Sequence, residues 1–251
     1  MRAPKKIEQT DAIFGRLKQI NPEADRSASA LRLSLDAKAS VKVGCYSRKG
    51  KSRVLRKAAD HDFRAKEVLT PYGILLPRYD ELCLYFTTSR VTSDFMVDVL
   101  ERWWLGNRER FPLVGTLVIN QDNGPENKSR RTQFLKRMVG FARDHRLLVR
   151  LAYYPPYHSK YNPIEHCWGV LEQHWNGDLL DSREAVVRFA ESMTWNGKRA
   201  KVSVLTDAYP KGVRLPKKEM LLVEQEVRRL PSLDDWFVDC TLRNPLHDGF
   251  Q

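Results

Sequence analysis

Two consecutive prolines, Pro155-Pro156, fix how the stretch from Tyr153 to Trp175 (YYPPYHSKYNPIEHCWGVLEQHW) can fold. Leu147, Val149 and Leu151 mark a strand ahead of them, and neither proline can donate to a sheet ladder, so that strand has to end. A helix is predicted to open at Asn162-Pro163. Asparagine is a favoured N-cap, and proline suits the first helical position, where its missing N–H has no intrahelical partner to lose. Ile164, Trp168, Leu171 and Trp175 then recur at helical spacing and form an apolar stripe that needs a core to cover it.

Glu165 takes the third position of that helix, Glu172 lies two turns further along the same side, and Gly169 between them leaves the surface beside Glu165 bare. Two readings of Glu165 follow. With Asn162 three residues before it, Glu165 fits a capping box, the glutamate bonding back to the cap's own amide. It also fits an acid on an open helical turn, suited to metal-bound phosphate chemistry. Company elsewhere favours the second reading: Asp122, followed by Asn123-Gly124, and Asp36 each stand at the end of a predicted strand.

The chain carries 43 Lys plus Arg against 31 Asp plus Glu in 251 residues, a formal charge of +12. Such a balance points to a polyanionic partner. A hydrophobic content of 42% excludes general disorder, and the length allows one large domain with extensions. No apolar run reaches membrane-span length and no secretory segment follows Met1-Arg-Ala-Pro-Lys-Lys, so no membrane partner and a cytoplasmic location are expected. Cys45, Cys83, Cys167 and Cys240 form no CxxC pair and, with His158, His166 and His174, match no usual zinc spacing. They are read as buried, reduced thiols.

Along the chain, Thr10 is expected to cap a short helix with Ile13, Leu17 and Ile20 on its apolar face, ended near Asn21-Pro22. Leu31 to Asp36 alternates as a first strand and Val41 to Tyr46 follows as a second, the short link suggesting a hairpin. The run SRKGKSRVLRK then brings Arg48, Lys49, Lys51, Arg53, Arg56 and Lys57 with no acid, a pattern suited to a phosphate backbone. Leu82 to Thr87 is a third strand. Thr92 or Ser93 caps an amphipathic helix with Phe95, Met96, Val99, Leu100, Trp103 and Trp104 on one face. Thr116 to Asn120 reads as a buried strand terminated by Asp122-Asn123-Gly124-Pro125, and Ser129 to His145 as a helix. Asp181 with Glu184 marks a further helix, residues 217–230 one more, and Trp236 and Phe237 tuck the tail against the body. The order is α/β with a mixed sheet, an antiparallel meander first and then strands reached through helices.

The acids Asp36, Asp122 and Glu165 thus fall on the first strand, the fourth strand and the helix after the fifth. That order resembles the catalytic core of DDE transposases and retroviral-type integrases. LVINQDNGPEN resembles their second-aspartate motif, and YYPPYHSKYNPIEHCW resembles the glutamate motif shared with mariner-like elements. With SRRTQFLKRM after the first, the wording is most similar to the bacterial insertion-sequence group carrying the Rhodopirellula-type transposase DDE domain, over about Asp11 to Asp207.

The resemblance implies a ribonuclease-H-like mixed five-stranded sheet flanked by helices over residues 29–197, with a tail and short helix (1–28) before it and a C-terminal extension (198–251) after it. Such transposases usually carry an N-terminal helix-turn-helix region. Only 35 residues precede Asp36, so a truncated copy or an isolated catalytic domain is expected. The resemblance further implies that Asp36 bridges two Mg²⁺ ions while Asp122 and Glu165 each hold one, with Mn²⁺ able to substitute. The partners it implies are element ends and target DNA, met by a homodimer in the bacterial cytoplasm. DNA contacts are expected from Arg48, Lys49, Lys51, Arg53, Arg130, Arg131 and Lys160, with Asn123, His158 and Asn162 in support. Asp60-His61-Asp62 and Asp80-Glu81 are rival acids, read as surface charge. A hydrolysis-only nuclease of the same fold and a non-catalytic DNA-binding remnant are the alternatives.

Overall fold

The computed structural model describes residues 6–46, 65 and 67–240. Arg48, Lys49, Lys51 and Arg53, and the trio Asp60-His61-Asp62, lie outside the described residues. In chain order the elements are α1 (Thr10–Arg26), β1 (Ala30–Ala37), β2 (Val41–Val43), β3 (Glu67–Leu76), β4 (Glu81–Thr87), α2 (Ser93–Asn107), β5 (Thr116–Gln121), α3 (Thr132–His145), β6 (Leu148–Tyr153) and α4 (Pro163–Trp175). They continue with α5 (Arg183–Ser192), β7 (Thr194–Trp195), β8 (Lys198–Arg199), β9 (Lys201–Leu205), α6 (Lys217–Glu224), β10 (Val227–Arg229) and β11 (Phe237–Cys240). The chain forms two units: Met1–Arg32, Thr92–His158 and Gly212–Gln251 make one, and Leu33–Val91 with Ser159–Lys211 makes the other.

The second unit is built on β3, a strand that the sequence conceals behind Pro71 and Gly73. The expected hairpin between β1 and β2 does not form. Both strands instead lie antiparallel along β3, Ser34–Ala37 against Leu75–Tyr72 and Val41–Val43 against Leu69–Glu67. The register slips by one residue between them, so β1 and β2 are one strand interrupted by a bulge at residues 38–40. Pro71 sits opposite that interruption, where Lys38 N–H reaches its carbonyl at 3.0 Å. A missing amide costs little there, which is why a proline survives inside a ten-residue strand.

β4 runs antiparallel to β3, and β9 adds to β4 in parallel. Asp80, between β3 and β4, is a left-handed turn residue (φ 50°) whose Oδ1 accepts from Asn196 Nδ2 at 2.8 Å, so this rival acid serves a turn. Asn196 and Gly197 both have positive φ (45° and 81°), the geometry a two-residue hairpin between β7 and β8 requires. The helical stripe lands as expected: Ile164, Cys167, Trp168, Leu171 and Trp175 are buried with Leu69, Leu75, Leu82, Leu84 and Phe86 of the sheet and Val186 and Ala190 of α5. The cap of α5 is Ser182, one residue after the expected Asp181, its Oγ accepting from Ala185 N at 3.1 Å.

In the first unit, β5 and β6 are parallel and joined by α3, while β11 pairs antiparallel with β6 and β10 with β11. α3 packs on α2, β6, β11 and α6. The helix expected over 217–230 ends at Glu224, and its last residues become β10 because the open edge of β11 offers them a ladder. Helix α1 likewise continues past Pro22 to Arg26. Asp25 in its final turn takes a two-pronged bond from Arg32 (2.9 and 2.6 Å), which holds the extension that the proline weakens.

Across β6 and β11, Arg150 and Asp239 stand opposite each other and join through two 2.8 Å bonds, with the Asp239 side chain only 5% exposed. That bond is also the main reason the Arg150 guanidinium titrates above its ordinary range. Asp239→Ala removes both of these bonds from a charge in a mostly dry site and is expected to lower unfolding stability by about 3 kcal/mol. A urea midpoint indistinguishable from the parent would remove the pair from any account of this sheet.

Cys83, Cys167 and Cys240 are buried, whereas Cys45 is exposed, against the expectation of four buried thiols. Burial pushes the Cys167 thiol up to about 12 and Cys240 higher still. A disulfide-exchange reagent should therefore modify a single cysteine quickly in the native protein, and Cys45→Ser should abolish that fast phase. A second fast thiol in the Cys45→Ser variant would show that one of the buried sites opens readily.

Candidate active site

The first turn of α4 is fastened to β1 by side chains that the sequence presents as loop residues. Asn162 occupies the N-cap position, but its side chain makes no capping bond. It is buried instead, its Oδ1 accepting from Ser34 Oγ (2.5 Å) and its Nδ2 donating to Leu35 O (3.1 Å). Ser34 Oγ in turn accepts from Ile164 N at 3.0 Å. A hydroxyl from the strand thus caps the helix, satisfying an amide that the helix itself leaves without a partner. Asn162 N–H goes to Ser159 O (2.7 Å), so the capping box does not form. The half-buried Glu165 carboxylate has no hydrogen-bond or ion-pair partner among the described residues.

Asp36 lies on the same strand two residues beyond Ser34, next to its last residue. Its Oδ2 accepts from Trp168 Nε1 at 2.7 Å, an indole one helical turn from Glu165. Gly73 faces Asp36 across the β1–β3 ladder. A Cβ at Gly73 would lie 2.6 Å from Ile164 Cδ1 and 2.7 Å from Trp168 Cη2, so the bare backbone is what lets α4 settle at this register. Lys38 Nζ reaches Glu172 Oε2 at 2.9 Å and fastens the third turn of the helix. The structure therefore brings Asp36 and Glu165 onto two elements joined by hydrogen bonds, packing and an ion pair. Gly169, by contrast, has no atom near its missing Cβ, which leaves the helix surface after Glu165 open as expected.

Asp122 belongs to the other unit, just past the end of β5. Burial raises its carboxyl above the usual carboxylate range, while hydrogen bonding to Asn127 and to its own backbone opposes the shift. Asn127 braces the loop from within: its Nδ2 donates to Asp122 O (3.0 Å) and Gln121 Oε1 (3.1 Å), and its carbonyl accepts from Tyr153 OH (2.7 Å). Gly124 is required here because a Cβ would fall 2.7 Å from Asn127 Oδ1.

The outer side of the loop is held by residues that the sequence reading missed. Asn123 Oδ1 accepts from Ser129 N (3.1 Å) and its Nδ2 approaches Asp235 O (3.4 Å). Arg229 of β10 donates to Ser129 O, Asp234 O and Glu224 Oε1 at 3.0–3.1 Å. Asn123, Lys128, Ser129, Arg130 and Asp235 line a cleft of about 190 Å³ beside this loop. Nothing in the spacing of residues 229–235 marks them as neighbours of a segment some hundred positions earlier. A lone arginine in a predicted helix gives no such signal.

Two of the expected DNA contacts are committed elsewhere. Arg130 is bound by Asp234 and Asp235 (2.5 Å each), and Arg131, 15% exposed, pairs with Glu126 at 3.3 Å. His158 is 4% exposed, its Nδ1 within 2.7 Å of Pro156 O and its ring edge against Phe14. These contacts tie it to the diproline turn. Lys160 is exposed and has no carboxylate partner among the described residues; its Nζ lies 5.2 Å from the centre of the Tyr161 ring.

Carboxylate oxygens are the donors a hard divalent cation prefers; in one unit Glu165 has no side-chain partner among the described residues, and in the other burial penalises the charge of Asp122. Among the described residues, no group of three or more His, Cys, Asp or Glu is placed to hold a metal. Among them, too, no helix is long and apolar enough to cross a membrane.

Comparison with solved structures gives the fold. The fold matches the Mos1 transposase paired-end complex with left transposon end at a TM-score of 0.51 and 12% identity, covering 75% of this chain and 56% of that one. The Mos1 mariner paired end complex with Mn gives the same four values. The fold is that of a ribonuclease-H-like DDE transposase. Residues 1–241 match the family model of the Rhodopirellula transposase DDE domain, and the chain belongs to that family. No curated protein matches the chain. The chain spans little more than half the length of the Mos1 chains it matches.

Proposed function

We propose that this chain is the catalytic domain of a DNA transposase, cutting phosphodiesters at element ends and joining the freed 3′-hydroxyl to target DNA. The observation that carries this reading is the Glu165 carboxylate, without a partner among the described residues and set on a helix fastened to the strand that carries Asp36. Asp36, Asp122 and Glu165 are its catalytic residues and would hold two Mg²⁺ ions, which Mn²⁺ could replace. Bound divalent cations activate the attacking oxygen and stabilise the leaving one.

The protein's part is to aim the ligands. Trp168 N–H fixes Oδ2 of Asp36. The Ser34 cap holds the helical turn of Glu165 against the same strand. Burial keeps Asp122 poorly solvated, so that its charge is balanced by cation and not by water. No residue is needed as a covalent nucleophile. Lys160, and the cationic run outside the described residues, meet the phosphate backbone, and a homodimer brings two ends together.

The test is to incubate purified protein with Mg²⁺ or Mn²⁺, DNA bearing the terminal repeats and a target plasmid. Joined products are expected. Cleavage without joining would assign the hydrolysis-only nuclease. Salt-dependent binding without cleavage under either metal would assign the non-catalytic remnant.

A further inference from the structure

Tyr161 is a large aromatic side chain, yet it is 52% exposed. It closes the short 3-10 turn Ser159–Tyr161 that leads into α4. Its support is rigid. The next residue, Asn162, is 1% exposed and bonded through its side chain to Ser34 Oγ and Leu35 O and through its amide to Ser159 O. The ring is therefore held out into solvent by the same fastening that sets Glu165 and the strand of Asp36. Beside it Lys160, exposed and without a carboxylate partner among the described residues, keeps its ammonium 5.2 Å from the ring centre.

An exposed aromatic side chain beside a cation that has no carboxylate partner among the described residues is a pairing that recognises single-stranded nucleic acid. Bases stack on the ring whatever their identity, and the cation takes the adjoining phosphate. A base inside a duplex keeps both faces covered by its neighbours and has none to offer. We infer that Tyr161 and Lys160 form a binding site for one unpaired nucleotide of DNA, the base stacked on Tyr161 and its phosphate at Lys160. The inference rests on the proposed action on DNA and adds to it a preference for a frayed or displaced strand beside Glu165.

The test is metal-free binding of a single-stranded oligonucleotide carrying 2-aminopurine, and of the duplex of the same sequence, at several salt concentrations. Tyr161→Ala is expected to weaken single-strand binding about tenfold and to abolish 2-aminopurine quenching, while duplex binding changes much less. Tyr161→Phe, which keeps the ring, should stay within about twofold of the parent. Lys160→Gln should reduce the single-strand salt slope by about 0.7.

Melting temperatures of the two Tyr161 variants, taken alongside, separate a loss of binding from a loss of fold. Equal binding by Tyr161→Ala and the parent overturns the stacking site. So does a Phe variant as weak as the Ala variant, or an equal loss on duplex. An unchanged slope in Lys160→Gln overturns the phosphate contact. If the parent binds no DNA at all, the proposed function falls together with this site, whereas a parent that binds both forms with an inert Tyr161 sinks this site alone.

Discussion

Glu165→Gln should abolish DNA cleavage and joining, by at least about a thousandfold, while leaving the unfolding free energy within about 0.5 kcal/mol of the parent. Both halves follow from the same observation. The carboxylate has no hydrogen bond or ion pair to lose among the described residues, so its removal costs the fold nothing. The amide keeps the shape of the side chain but not the charge a divalent cation needs. Had the capping box formed, the same substitution would have kept most of one helix-end bond and little chemistry would depend on it. A variant that still joins DNA excludes Glu165 as a ligand. A large loss of stability would mean that the carboxylate has a structural duty after all.

Gly73→Val is expected to be the most damaging change remote from the acids. Its side chain would occupy space now filled by Ile164 and Trp168, whose atoms lie 2.6 and 2.7 Å from the position of a Cβ. Both belong to the packed stripe of α4, so neither can swing into solvent. Overpacking of this kind costs roughly 1–3 kcal/mol. It also pushes Trp168 from Asp36 and carries Glu165 with it, so activity should fall further than the folded fraction does. Gly169→Ala is the contrasting case. Nothing lies within 4 Å of its Cβ position, and alanine in a helix interior should raise stability by about 0.5–1 kcal/mol. Urea midpoints for the two variants moving in the same direction would contradict this view of how α4 is seated.

Much of this was legible in the sequence, and the failures have causes. Periodic apolar patterns placed β1, β4, β5, β6 and all of α2 to α5 within a few residues, because burial imposes the pattern directly. β3 escaped because proline and glycine normally argue against a strand, and only the bulge across the ladder and the approach of α4 make each of them fit. Asn162-Pro163 predicted the right helix start with the wrong cap. The hydroxyl that caps α4 comes from Ser34, 130 residues before the amide it accepts, and local spacing carries no trace of it. Arg130 and Arg131 looked like free cations only because Asp234, Asp235 and the fold of the Glu126 loop are not visible from their neighbourhood.

The division into two units has a practical and a kinetic consequence. The polypeptide crosses from one to the other at Arg32/Leu33, Val91/Thr92, His158/Ser159 and Lys211/Gly212, and the first crossing lies inside β1 itself. No single scission releases either unit as a continuous fragment, so an attempt to dissect the protein must rejoin segments or permute the chain. During synthesis, Ser34 must wait for Asn162, 128 residues later, before its bond can close. Delayed closures of this kind are what slow a fold and leave its early strands open to wrong partners.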